Sequence, residues 1–197
     1  HDLRARHPHA IVDVRGAVVC PGFVDIHVHL REPGQEEKET IETGARAAVL
    51  GGFTAVLAMP NTTPAIDSAG VAREVLELGR DACCDVYTSG AITVGRAGAQ
   101  LAPMAELAAL GVRLFTDDGT GVQDALLMRR ALEYARGLRH LTGGQPLVLA
   151  QHCEDAALCG GGHMNEGRWS AQLGIAGQPA EAEELMVARD LALARLT

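Results

Sequence analysis

No apolar run in this chain approaches the roughly 20 residues that cross a bilayer, so a transmembrane helix is not expected. The first residues, His1-Asp2-Leu3-Arg4, lack the order of a signal peptide, and they lack the Met of a natural start. The expectation is a cytoplasmic protein, read here in part. Positive charge is also scarce. Lys and Arg number 17 against 25 Asp and Glu, a net charge of −8, which argues against nucleic acid or an anionic membrane as partner. The 5 cysteines (Cys20, Cys83, Cys84, Cys153, Cys159) are odd in number and form no Cys-x-x-Cys, so reduced thiols fit better than a disulfide framework. At 47% hydrophobic residues and 21% charged, the 197-residue chain has the composition of a folded protein with one substantial core or two small ones.

What is present is an alternation of β-branched apolar runs with stretches of helical period. Strands are expected over 23–30, 53–59, 85–93, 112–116 and 146–153. Helices are expected over 36–50, 67–79, 101–110, 122–138 and 181–196, the last announced by Pro179. Strand starts recur about every 30 residues, the length of one βα unit with its loops. Either a doubly wound sheet or a (β/α)₈ barrel has this rhythm.

The first strand chooses between them. In Phe23-Val-Asp-Ile-His-Val-His-Leu30, Val24, Ile26, Val28 and Leu30 share one face, while Asp25, His27 and His29 share the other. A doubly wound sheet expects apolar residues on both faces, whereas a barrel strand aims polar groups at its mouth. The expected fold class is therefore α/β, a (β/α)₈ barrel of about five units where eight would take about 240 residues. That barrel part is expected over 21–197. Residues 1–20, with the runs Ile11-Val12-Asp13-Val14 and Ala17-Val18-Val19, read as the edge of a separate small β domain.

His27-Val28-His29 is the leading chemical signal. Strand residues two apart have Cα atoms about 6.6 Å apart and imidazoles on one face, so both reach one ion at a bond length of about 2 Å. Phe115-Thr-Asp-Asp-Gly119 puts a carboxylate, Asp117 or Asp118, at the end of the fourth strand, where an Asp also serves as a helix cap. Gln151-His-Cys-Glu-Asp155 brings another imidazole, His152, to the end of the fifth. Imidazole and carboxylate from successive strand ends suit Zn²⁺ or another divalent transition metal better than Ca²⁺ or Mg²⁺, with thiolates of Cys153 and Cys159 as a lesser option. Arg31 would continue the odd-numbered face and offer a two-donor fork to a substrate carboxylate, unless it is solvated and paired with Glu32. Asn61, in Met59-Pro-Asn-Thr62, offers a carboxamide to an amide-like substrate, although Asn after Pro is also ordinary turn chemistry.

Together, Pro21-Gly-Phe-Val-Asp-Ile-His-Val-His-Leu-Arg-Glu-Pro33, Ala58-Met-Pro-Asn-Thr62, Phe115–Gly119, Gln151–Asp155 and Asn165-Glu-Gly167 resemble the bacterial type I dihydroorotases of the amidohydrolase superfamily. The resemblance implies zinc-dependent, reversible interconversion of L-dihydroorotate and N-carbamoyl-L-aspartate in pyrimidine synthesis. It implies one or two zinc ions, with His27 and His29 on one, Asp118 beside or bridging the metals, and His152 at the second position. Arg31 and Asn61 would then grip the substrate carboxylate. Many superfamily members bridge their metals with a carboxylated lysine, but the one lysine here, Lys38, follows the first strand, which leaves an Asp bridge. The family's general-base Asp and a further ligand His would lie beyond Thr197, so these residues alone are expected to be inactive, with His163 or Asp117 the first candidates for an internal base. Rival readings are another cyclic amidase, such as an allantoinase or dihydropyrimidinase, and a non-catalytic scaffold for aspartate transcarbamoylase. A small-molecule substrate is expected in the first two, while a homo-oligomer and a transcarbamoylase partner stay open.

Overall fold

A computed structural model describes residues 13–197; the Ile11-Val12 part of the expected N-terminal β edge lies outside them. The described residues 13–22 form a turn and an irregular segment without strand. Three parallel strands follow, β1 (Phe23–Val28), β2 (Phe53–Ala58) and β3 (Asp85–Thr88), adjacent in the order β1-β2-β3. A second parallel pair comprises β4 (Leu114–Phe115) and β5 (Val148–Leu149). A parallel bridge between Gly90 and Phe115 joins the two sheets: Gly90 N–H donates to Leu114 O at 3.0 Å and Thr116 N–H to Gly90 O at 2.9 Å. A Cβ at Gly90 would sit 2.9 Å from the Phe115 ring, so glycine is what lets β3 and β4 close up. The outcome is an α/β array of five parallel strands in chain order.

Parallel neighbours need crossovers, and four helices supply them: α1 (Ile41–Leu50), α2 (Ala69–Leu78), α3 (Met104–Ala109) and α4 (Ala125–Gly137). Their apolar faces cover the sheet. Ile41 of α1, Val75 of α2, Leu107 of α3 and Met128 of α4 pack with Val56 of β2 and Phe115 of β4 in one buried cluster. Each such side chain contributes about 1.5–3 kcal/mol of burial.

Several boundaries differ from expectation for local reasons. Residues 36–40 are turn and loop, because Glu36 accepts Gly34 N–H at 2.6 Å and Thr40 opens α1 as a capping box with Thr43. The helix expected from 122 starts at Ala125 because Asp124 caps it, accepting Leu127 N–H at 2.7 Å. The strand expected over 85–93 leaves the ladder after Gly90, since Ile92 and Thr93 give their amides to Asp117. The expected apolar face of β1 is only partly covered: Leu30 is buried, but Val24 and Ile26 are 62% and 63% exposed. Among the described residues β1 is an edge strand with β2 as its one neighbour.

The final helix, α7 (Glu181–Leu196), forms over the expected residues. Its Arg189 donates to the carbonyls of Val122 and Gln123, holding the turn that leads into α4. Between β5 and α7 the chain forms elements too short to leave a period in sequence: α5 (Ala156–Cys159), α6 (Arg168–Leu173) and the two-residue strands β6 (Met164–Asn165) and β7 (Gly177–Gln178), which pair in parallel apart from the main array.

Candidate metal centre

The polar residues gather at the carboxyl ends of the strands. His27 lies in β1 and His29 directly beyond it, while Asn61 follows β2 and Asp118 follows β4. The turn that carries Asp118 reverses at Gly119, whose φ of +87° is a left-handed value that favours glycine. One ligand atom each from His27, His29 and Asp118 falls within a mutual distance of 4.8 Å. His27 Nε2 lies 3.2 Å from Asp118 Oδ1, and His29 Nε2 lies 3.7 Å from Asp118 Oδ2. A tetrahedral zinc site with bonds of about 2.0–2.1 Å separates its ligand atoms by about 3.3 Å, so the 3.2 Å spacing is near that value and the 3.7 Å spacing, to the other carboxylate oxygen, is wider. Two imidazoles and one carboxylate also suit a catalytic site, which keeps a position open. The Asp118 side chain is 8% exposed, against 56% for His27, so the centre has a sheltered carboxylate floor and an accessible imidazole rim.

Asn61 is not free to face a substrate with its whole carboxamide. Its Oδ1 lies 2.9 Å from His29 Nδ1, and its Nδ2 donates to Asp118 Oδ2 at 3.1 Å. With Oδ1 as acceptor, His29 carries its proton on Nδ1 and presents the Nε2 lone pair toward Asp118, the arrangement a metal ligand needs. One Nδ2 hydrogen of Asn61 stays available.

The two aspartates of the turn are separated cleanly. Asp117 is wholly buried, and its carboxylate accepts Ile92 N–H at 2.8 Å, Thr93 N–H at 3.0 Å and the Thr93 hydroxyl. Burial pushes its acid up from the ordinary carboxylate value, opposed by the Thr93 and Ile92 hydrogen bonds and the Arg96 charge. Its oxygens are engaged with residues 92–93, away from the three-residue group.

Arg31 corrects an expectation. β1 ends at Val28, and Arg31 sits past it with φ of +63°, so strand alternation does not extend to its side chain. The alternative, a pair with Glu32, is not among the ion pairs of the described residues; Glu32 Oε2 instead accepts Ile41 N–H at 2.8 Å.

His152 follows β5 but stands outside the His27–His29–Asp118 group. Its Nδ1 is buried without a hydrogen bond, 3.8 Å from Glu154 Oε2. Its neighbour Gln151 is structural: the carboxamide accepts Val122 N–H at 2.9 Å and donates to Val122 O at 3.0 Å, tying the end of β5 to the turn before α4. Cys153 and Cys159 are also outside the group, and burial pushes the Cys153 thiol up, which disfavours the thiolate a metal requires. Lys38 bonds Gln35 in an exposed loop, and the His163 side chain is exposed. Two residues around Asp118 leave no plain trace in sequence, Thr93 and Arg96; the glycines at 90, 95 and 98 are the local sign that a loop replaces the strand there.

Parallel strands whose carboxyl ends collect a His-x-His pair and an aspartate define an α/β protein with a candidate metal centre. The comparisons narrow the class. The profile of the family described as "Dihydro-orotase-like" matches residues 16–197. The proteins named "Dihydroorotase" from Pelobacter propionicus and Anaeromyxobacter dehalogenans are 50% and 53% identical over 188 residues, covering 95% of this chain and 43% and 42% of their own lengths. The one from Streptomyces coelicolor is 49% identical over 187 residues, 93% of this chain and 42% of its own. This chain belongs to the dihydro-orotase-like family, and it spans roughly two fifths of the length of these relatives. An L-hydantoinase (dihydropyrimidinase) from Arthrobacter aurescens shares the fold, with a TM-score of 0.69 at 18% identity over 89% of this chain and 39% of its own. A D-hydantoinase matches with a TM-score of 0.61 at the same identity and coverage.

Proposed function

We propose that this chain supplies the metal-binding part of a dihydroorotase, which interconverts L-dihydroorotate and N-carbamoyl-L-aspartate by hydrolysis and closure of a cyclic amide. The observation that carries the reading is the convergence of His27, His29 and Asp118 within 4.8 Å, in a chain about half identical to relatives of that name. The five parallel strands in chain order are, on this reading, one arc of a (β/α)₈ barrel, with the site at its carboxyl-end mouth. Likeness in fold to the two hydantoinases supports the barrel.

His27, His29 and Asp118 hold the first metal, and zinc suits imidazole and carboxylate donors. His152 serves a second metal position. Zinc bound there would supply a Lewis acid that polarises the amide carbonyl and lowers the pKa of water. The residues of this chain do the rest by placement. Asn61 holds His29 in the tautomer with Nε2 free and keeps one N–H for the substrate carboxylate. Arg31 supplies the planar cationic fork for the same carboxylate. The resemblance puts the group that moves the proton to the leaving nitrogen outside these residues, and of the two internal candidates Asp117 already has its oxygens occupied while His163 is exposed.

No helix among the described residues is long and apolar enough to cross a membrane. The test is the full-length protein, loaded with zinc and assayed for dihydroorotate hydrolysis beside hydantoin and allantoin. Turnover confined to dihydroorotate supports the reading, and preference for either of the other two overturns it.

A further inference from the structure

Asp118 is held from both sides by contacts that do not involve its carboxylate. On one side, Asp117 is buried to 0% exposure, and its side chain takes the amides of Ile92 and Thr93 and the hydroxyl of Thr93, itself fully buried. The Asp117 carbonyl accepts the amides of Thr120 and Gly121, each at 3.0 Å, and the Thr120 hydroxyl at 3.0 Å. On the other side, Arg96 Nη1 donates to the carbonyl of Asp118 itself. The loop that supplies these groups is closed on itself, for Thr93 Oγ1 also accepts Gly98 N–H at 3.0 Å.

A ligand carboxylate works only if its oxygens stand at one set of positions, because metal–oxygen bonds of about 2.0–2.2 Å tolerate little displacement. A turn is a flexible place to put one. Here the turn is fixed by a buried, charge-assisted cluster contributed by the loop after the neighbouring strand.

We propose that Asp117 and Thr93 form a latch between the loop after β3 and the turn after β4 that fixes the aim of the Asp118 carboxylate, which makes Thr93 a positioning residue of the metal centre. The inference rests on the metal-centre reading above but does not depend on which substrate the enzyme takes. Thr93→Val removes the hydroxyl that bonds Asp117 and the acceptor that holds Gly98, at nearly constant volume. Thr93→Ser keeps both.

The test is zinc affinity of the full-length protein, by competition with a chromophoric chelator at a temperature where circular dichroism shows each variant folded. The latch predicts that Thr93→Val weakens zinc by about tenfold or more, within the range found when outer partners of metal ligands are removed, and that Thr93→Ser stays within about threefold of wild type. A Thr93→Val protein that melts lower yet binds zinc as wild type does has lost only packing, and that result overturns the proposal. If Thr93→Val does not fold, Asp117→Asn decides, because it keeps an oxygen for the amides of Ile92 and Thr93 but loses the carboxylate oxygen that accepts the Thr93 hydroxyl: weakening of about threefold to tenfold supports the latch and unchanged affinity overturns it. Wild-type protein that binds no zinc would instead overturn the metal centre itself.

Discussion

The carboxamide of Asn61 bridges two candidate ligands, with Oδ1 2.9 Å from His29 Nδ1 and Nδ2 donating to Asp118 Oδ2 at 3.1 Å across 57 residues of sequence. On the proposed function, a residue so placed orients the metal ligands before it meets a substrate. Asn61→Ala is expected to weaken zinc by about 10–100-fold, measured by chelator competition. A rise in KM with zinc affinity unchanged would mean that Asn61 serves the substrate alone.

Loss of both imidazoles goes further. His27→Ala together with His29→Ala leaves Asp118 as the last member of the three-residue group. The double variant of the full-length protein is expected to lose stable zinc at this site during dialysis. Unchanged zinc content by metal analysis would refute the assignment.

These features were unequally legible in sequence. His27 and His29 stood out because a strand has a period of two, so their common face follows from spacing alone. Asp118 and Asp117 could not be told apart by spacing, because a turn has no such period; what separates them is a contact of Asp117 with Ile92 and Thr93 in a distant segment. Arg31 looked like a continuation of the strand face, and its left-handed backbone breaks that continuation. The β preference of Ile92 and Thr93 predicts a strand that runs to Thr93, and the competing acceptor on Asp117 is invisible to a local pattern. The short pair β6 and β7 has two residues in each strand, too few for any period to register.

Arg31 offers a test of substrate binding. With a carboxylate in its fork, Arg31→Lys is expected to reduce kcat/KM already, because an ammonium has no planar pair of donors, and Arg31→Ala to cost about 2–5 kcal/mol in transition-state binding. Steady-state kinetics on dihydroorotate within about threefold of wild type for both would place Arg31 outside the substrate site.

The adjacent aspartates should rank in a fixed order. Asp118→Asn removes a charged ligand atom and is expected to abolish hydrolysis, while Asp117→Asn keeps an oxygen for the amides of Ile92 and Thr93 and is expected to be milder. The reverse order in a hydrolysis assay would show that the turn presents the other carboxylate to the metal.

The most direct measurement is anomalous diffraction at the zinc edge from crystals of the full-length protein. The account predicts a peak within about 2.0–2.2 Å of an imidazole nitrogen of His27, an imidazole nitrogen of His29 and a carboxylate oxygen of Asp118. Zinc bound elsewhere, for instance at Cys153 and Cys159, with His27 and His29 unligated, would contradict it.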